Sequence, residues 1–413
     1  MESSWADATH GLSREQARID LFKKNYPSSA FTVTLRNFHQ DYQQQVVAQL
    51  AGGVGPDVFR LAWENVFPLK EQNALQELDS YFARMGKDNW LSGSDVKQEV
   101  FDSARYQGKL YGAPMGSDMS NIEIDKSLFR APGIKAPPLT YDVSLWSFDD
   151  VLQAARAMTK RAPDGTPLQL GISAASFLYS DSAFSLVESW GGQTLSDDWS
   201  KFLWGQQPGP TAWEWVADLI RKYQVGASPA EAKSPAASYT GGKLAMQTSN
   251  VSALSYHIDD IKEKFDWDQA PWPKQGNNPV KVIFEYGAWV VNAQGRHLDE
   301  SFQLLQFISG PIGTIPGVEL GFELPLFKSL DSRYNSAIAA LGKNIKPAID
   351  GFAHRIQRNY YSQPRWNDAW TKFISPALSD ILAGKKAAAE ALNEITPQVN
   401  GLLLEGAKLM GAL

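Results

Sequence analysis

The sequence predicts a two-lobed α/β protein, each lobe a mainly parallel sheet flanked by helices. Three observations carry that expectation. At 413 residues the chain is longer than a single hydrophobic core supports. Its first hundred residues alternate helix-period and strand-period stretches, the pattern of a parallel sheet with helices on both faces. No internal repeat, low-complexity tract or Pro/Gly/Ser-rich linker interrupts it, so strands crossing a hinge, not a tether, are expected to join the lobes.

The elements follow in order. Ser13-Arg14-Glu15-Gln16 reads as a capping box, with Ile19, Phe22 and Tyr26 behind it at helical spacing until Pro27. Phe31, Val33 and Leu35 alternate as a strand does. Tyr42, Val46, Val47 and Leu50 form the next helical stripe, which runs into Ala51-Gly52-Gly53. Paired glycines can take the positive φ that ends a helix, and Pro56 turns Gly55 away from helix. The apolar run after Pro56-Asp57-Val58 then reads as a buried strand, with Trp63 and Glu64 just beyond its carboxyl end. Ligands of open α/β sheets bind at such strand ends. Further on, Ser147 with Asp150 caps another helix, and Trp370, Phe373, Ile374, Ala377, Leu378 and Ile381 make a continuous apolar stripe.

Composition narrows the function. A net charge of −6 gives no basic footprint, so no nucleic-acid partner is expected. Cysteine is absent, which excludes disulfides, thiolate catalysis and cysteine-zinc sites. His10, His39, His257, His297 and His354 are scattered, without metal-ligand spacing. Neither a metal nor a cofactor is expected. No apolar run approaches the roughly 18 residues of a membrane helix. Met1 to Trp5 has no basic start or apolar core, so a signal or lipid-anchor segment is expected to be absent from this chain. Fourteen Trp and fourteen Tyr serve core packing first, but a few of these rings would suffice to stack on the apolar faces of a sugar.

The stretch Tyr42–Val58 resembles the Tyr, helix, Ala-Gly-Gly, Pro-Asp-Val pattern of the extracellular solute-binding proteins (family 1) of bacterial ABC importers, the class that includes maltose-binding protein. Other matches follow in the family's order: Tyr106–Pro114, Asn121–Phe129, Pro137-Pro138 with Trp146, Ser189–Gly192, Gly242–Met246 and Ala270–Pro273. Tyr286–Asn292, Glu300–Ser309, Gly384-Lys385 and Ala389–Leu392 complete the series. The chain departs from the pattern in Ile124-Asp125, where Tyr-Asn is usual, and in having only Met1 to Trp5 for the first strand. Tyr141 to Leu145 looks like a small insertion.

The resemblance implies a type II periplasmic-binding-protein fold, with residues 1–115 and 289–330 in the first lobe and 116–288 and 331–413 in the second. It implies a periplasmic or extracellular monomer that captures a small-molecule solute, a sugar or oligosaccharide, in the cleft between lobes by hinge closure. Delivery would be to the permease subunits of an ABC transporter in the membrane. In the first lobe it points to Thr9 and His10 before the first helix, to His39 and Gln40 after the second strand, and to Trp63 with Glu64. An indole beside a carboxylate suits stacking plus hydroxyl recognition; the alternative is a rim Trp63 packed on a neighbouring helix. Ser117 and Asp118 follow the first crossing. In the second lobe the candidates are Tyr179, Asp181 and Trp190, then Ser249 and Asn250. Tyr286, Gly287 and Trp289 lie at the second crossing. Arg358, Tyr360, Tyr361, Arg365 and Trp366 form an aromatic-basic cluster, either a further wall of the site or a loop of packed aromatics. If the arginines face ligand, an anionic sugar or polyol, phosphorylated or sulfonated, is the alternative solute.

A glycoside hydrolase would use the same residue types, with two carboxylates at a fixed separation. No paired-acid motif stands out, and neither G-x-S-x-G nor H-E-x-x-H occurs. The sequence therefore favours binding over catalysis.

Overall fold

The computed structural model describes residues 1–3, 11–37, 42–116, 118–131, 133–138, 140–142, 146–344 and 346–413. The elements that carry the argument begin with β1 (Glu2–Ser3), α1 (Gly11–Asn25), β2 (Arg36–Asn37), α2 (Tyr42–Ala51), β3 (Val58–Ala62) and β4 (Ala113–Pro114). They continue with β5 (Asp118–Asp125), α3 (Phe148–Met158), α4 (Ser180–Ser189), β6 (Met246–Asn250), α5 (Ala253–Ile261), β7 (Trp267–Ala270), β8 (Gly287–Val291) and α6 (Leu298–Ile308).

The chain divides into two compact units. Unit 1 is Met1–Asp118 with Glu285–Ala340 and Tyr361–Pro364; unit 2 is Met119–Phe284 with Leu341–Tyr360 and Arg365–Leu413. The sequence reading gave all of 331–413 to the second lobe. In the structure 331–340 and 361–364 pack with unit 1, where Tyr334 is fully buried and Ser362 bonds to Trp63.

Unit 1 is built on a sheet of strand order β2-β1-β3-β8-β4. β1 is parallel to β2 and β3, while β8 returns antiparallel between β3 and β4. α2 buries Val46 and Leu50 and stops at Gly53, whose φ of +68° suits a residue without Cβ. β3 follows with Val58 to Leu61 all buried, the near-continuous burial of a central strand. Two local expectations are corrected here. Phe31–Leu35 is not a strand; the paired residues are Arg36–Asn37, because 31–35 stay half-buried or exposed and gain no ladder. α1 starts at Gly11, so Ser13 lies within the helix and not at its cap.

In unit 2 the strand order is β6-β5-β7, and the central β5 runs antiparallel to both neighbours. These strand pairs are thus antiparallel, and an isolated parallel bridge joins Leu170 to Leu244 just before β6. α3 carries the predicted capping box. Ser147 Oγ accepts from the Asp150 N–H (3.1 Å) and Asp150 Oδ2 accepts from the Ser147 N–H (3.0 Å). Gly171 lets the strand before it approach α3, since a Cβ there would stand 2.1 Å from the Ala155 carbonyl oxygen. Most tryptophans are core: Trp146, Trp204, Trp213, Trp267, Trp272 and Trp366 are fully buried. The C-terminal apolar stripe also packs inward, with Ile374, Ala377, Leu378 and Ile381 all buried.

Candidate functional site

In unit 1 the site region is the carboxyl end of β3 and the start of β8. β3 ends in a single 3-10 turn, Trp63–Asn65, that holds Trp63 inward and leaves Glu64 half-buried. The Trp63 ring meets Tyr286 edge-on at 4.7 Å and Phe67 at 5.5 Å. Its indole N–H donates to Ser362 Oγ (3.1 Å), and that hydroxyl donates to the Ser103 carbonyl (3.5 Å). Ser103 Oγ donates to the Val100 carbonyl (2.8 Å), which leaves the Tyr286 hydroxyl as donor in their 2.7 Å contact. The two predicted rings are therefore brought together and oriented by two serines that the sequence reading missed. Gly287 stands opposite Ala62 in the ladder, where a Cβ would come within 3.1 Å of Met115 Sδ. Trp289 faces the other way in function: it is fully buried, with the Arg18 guanidinium 5.9 Å from its ring. Asp118 is half-buried at the start of β5. Thr9, His10, His39, Gln40 and Ser117 lie outside the described residues.

Beneath this region sits a cluster of permanent charges that no sequence motif announces. Arg14, Glu15, Arg18, Arg60 and Glu323 are all buried. Arg14 Nε donates to Glu15 Oε1 (3.0 Å), and Arg18 Nη2 to Glu323 Oε1 (2.6 Å). The Arg14 guanidinium also lies over the Phe322 ring at 3.8 Å. Burial pushes the Glu15 carboxyl up, but Arg18, Arg14 and Arg60 together hold it below its ordinary value. For Glu323 burial prevails over Arg18 and Arg14, and its carboxyl is raised. The available signal, Arg14, Glu15 and Arg18 close together on α1, enters the sequence reading only in part, through the Ser13–Gln16 capping box.

In unit 2 the region is the carboxyl end of β6 and the amino end of α4. Asn250 Nδ2 donates to Asp181 Oδ2 (2.8 Å), joining the last residue of β6 to the first turn of α4. Ser182 Oγ donates to Thr248 Oγ1 (2.8 Å) just below them. Ser249 and Asn250 remain half-buried, and Tyr179, immediately before α4, is 71% exposed. Opposite Ser249 on β5, Asn121 is buried with neither side-chain amide atom hydrogen-bonded, a residue the sequence reading had only as part of a motif.

The remaining candidates are drawn elsewhere. Trp190 closes α4 and packs against Phe148 and Trp215 at 5.7 and 6.1 Å. Arg358 directs its guanidinium to the carbonyls of Leu195 (3.3 Å), Ser196 (3.0 Å) and Asp197 (3.2 Å), and lies over the Trp199 ring at 4.1 Å. Tyr360 donates its hydroxyl to Glu188, whose carboxyl burial raises against the effect of that bond. Arg365 is 3.6 Å from Glu405, Trp366 is core, and Tyr361 is buried in unit 1.

Among the described residues no group of three His, Asp or Glu is placed to hold a metal ion. No described helix is long and apolar enough to cross a membrane.

A family model for bacterial extracellular solute-binding proteins matches residues 17–341. The chain belongs to that family. It is a family of binding proteins, not of enzymes. No curated protein matches the sequence significantly. Among solved structures, an ABC substrate-binding protein from Listeria monocytogenes in complex with cycloalternan superposes with a TM-score of 0.81 at 19% identity, over 97% of each chain. The GacH receptor of Streptomyces glaucescens, solved unliganded and with acarbose, gives 0.77 at 18% identity over 98% of each. UgpB from Mycobacterium tuberculosis in complex with glycerophosphocholine gives 0.76 at 16% identity, over 97% of this chain and 98% of that one. At such identities the likeness is one of fold, and that fold is the two-unit, type II periplasmic-binding-protein fold.

Proposed function

We propose that this protein is the substrate-binding component of an ABC importer, that it captures a neutral sugar or oligosaccharide outside the cytoplasm, and that its units close on the solute as it is taken up. The observation that carries the choice of solute is the engagement of Arg358. The anionic reading needs that guanidinium for the ligand, yet it is spread over three backbone carbonyls and the Trp199 ring. The groups left half-buried at the end of β6 are a hydroxyl and an amide, Ser249 and Asn250, beside the Asp181 carboxylate. Such groups exchange hydrogen bonds with sugar hydroxyls, and the exposed Tyr179 ring offers a face for stacking. The neighbours of similar fold include both cycloalternan- and acarbose-bound proteins and a glycerophosphocholine-bound one, so the phosphorylated alternative is a defined rival.

A thermal-shift screen of neutral oligosaccharides against sugar acids and phosphorylated or sulfonated polyols tests the assignment. A ligand at a hundred times its Kd stabilises the native state by about 2.7 kcal/mol. Stabilisation by the neutral set supports the reading; stabilisation confined to the anionic set overturns it. With the responding sugar in hand, solution scattering tests closure, and an unchanged radius of gyration at saturation counts against it.

A further inference from the structure

A second polar cluster in unit 2 joins a histidine to a buried carboxylate. His257, on α5, places Nδ1 2.7 Å from Glu123 Oε1, while Gln247 Nε2 donates to the other carboxylate oxygen, also at 2.7 Å. Glu123 is fully buried on β5 and the His257 side chain is 15% exposed. The imidazole lies between the Tyr239 ring at 5.6 Å and the Trp267 ring at 5.9 Å. α5 also buries Leu254, Ser255 and Ile261, and the His257–Glu123 contact is the ion pair that ties it to β5.

The helix is also the continuation of the turn that ends β6. The Val251 N–H donates to the Met119 carbonyl (3.0 Å), and Gln269 Nε2 donates to the Val251 carbonyl (3.2 Å). α5 starts two residues later. The Asn250–Ser252 turn is therefore the covalent junction between β6 and α5, the only stretch of chain between them.

We propose that the His257–Glu123 pair is a pH-operated latch: the protonated imidazole fastens α5 and the Asn250–Ser252 turn to the sheet, and its deprotonation releases them. For solute capture the consequence rests on the proposed role of Ser249 and Asn250; the latch itself does not.

The surrounding charges support the sign. Burial lowers the affinity of His257 for a proton, but the hydrogen bond and charge of Glu123, with Asp260 on the same helix, outweigh it, and the group sits above its ordinary 6.5. Gln247 on β6 and the Trp267 and Gln269 side chains on β7 are uncharged. Tyr239, in the segment before β6, stays neutral, since burial and then Glu123, Asp125 and Asp268 push its hydroxyl far up. A histidine raised in the folded state contributes fully below pH 6.5 and loses that contribution as pH rises through its native value.

The test needs no solute. NMR follows the His257 imidazole and the amide protection factors of residues 250–261 from pH 6 to 9, in the wild-type chain and in His257→Gln. The expected result is a titration above 6.5 and a fall in protection that runs from 6.5 up to that titration. That fall is tenfold for each unit by which the titration exceeds 6.5. In His257→Gln the protection is expected to be flat with pH. A titration at or below 6.5 overturns the latch. So does flat wild-type protection, or an unchanged pH dependence in the variant. If His257→Gln does not fold, the wild-type measurements decide alone. Failure here leaves the solute assignment standing, because that assignment is judged by the ligand screen.

Discussion

In unit 1 the aromatic and polar groups at the end of β3 are bonded to one another, whereas in unit 2 those at the end of β6 are left half in water. Trp63 is 1% exposed and tied to Ser362, and Tyr286 is 4% exposed and tied to Ser103. Tyr179 is 71% exposed, beside the half-buried Asn250 that bonds to Asp181. The difference separates two ways of making a recognition surface. A network with every hydroxyl proton assigned fixes geometry before any ligand arrives, which lowers the ordering cost on binding. A half-wet cluster adapts at the cost of that ordering.

The contrast can be broken most forcefully at its foundation. Replacing Arg18 with Met leaves Glu323 and Glu15 buried beside an apolar chain, and loss of about 3–5 kcal/mol is expected in urea unfolding. A loss under about 1 kcal/mol means the charged layer is dispensable to unit 1. Next comes a matched pair of truncations. Trp63→Ala should cost about 3–5 kcal/mol of stability, and Tyr179→Ala less than about 0.5 kcal/mol while still weakening binding of the sugar found by the screen. Equal stability losses in calorimetry would erase the distinction between the two ends.

Asn250→Ala removes one neutral-to-charged hydrogen bond at a partly exposed position, so about 1 kcal/mol of stability is expected to go. Its effect on sugar affinity by isothermal titration should be the larger of the two, and the reverse order would make Asn250 a structural residue. The smallest effect concerns Glu231, whose hydrogen bond from Arg161 holds its carboxyl at about 2. A depressed carboxyl contributes above its ordinary 4.5 and loses that contribution as pH falls toward 2. Unfolding curves of wild type and Glu231→Gln should therefore differ by less than about 1 kcal/mol at pH 6 and converge near pH 2. This pair belongs to neither strand end, and a large difference would locate unit 2's polar stability away from the β6 region.

Local chemistry was legible where one short stretch decides the outcome. The Gly53 stop, the buried β3 after Pro56 and the Ser147–Asp150 capping box all follow from neighbouring residues, and all are present. The site was half legible. Trp63 could be named from its place at a strand end and Tyr286 from the family resemblance, but not their bonding partners, because Ser362 is 299 residues from Trp63 and carries no motif. Arg14, Glu15 and Arg18 were hidden for the opposite reason: charge on a helix ordinarily marks its wet face, and only a partner as distant as Glu323 makes it interior. Phe31–Leu35 failed because alternation shows a suitable surface, not a strand to pair with.

The small excursion Tyr361–Pro364 bears on how the molecule is made. These residues pack with unit 1, although the chain on either side of them belongs to unit 2. A nascent chain emerges from its amino end, so the Trp63 indole waits for its acceptor until 299 further residues have been synthesised. Unit 1 therefore cannot complete its folding as an early, separate event. Long-range contacts of this kind slow folding, so the return of this four-residue segment sets a late step in the assembly of unit 1.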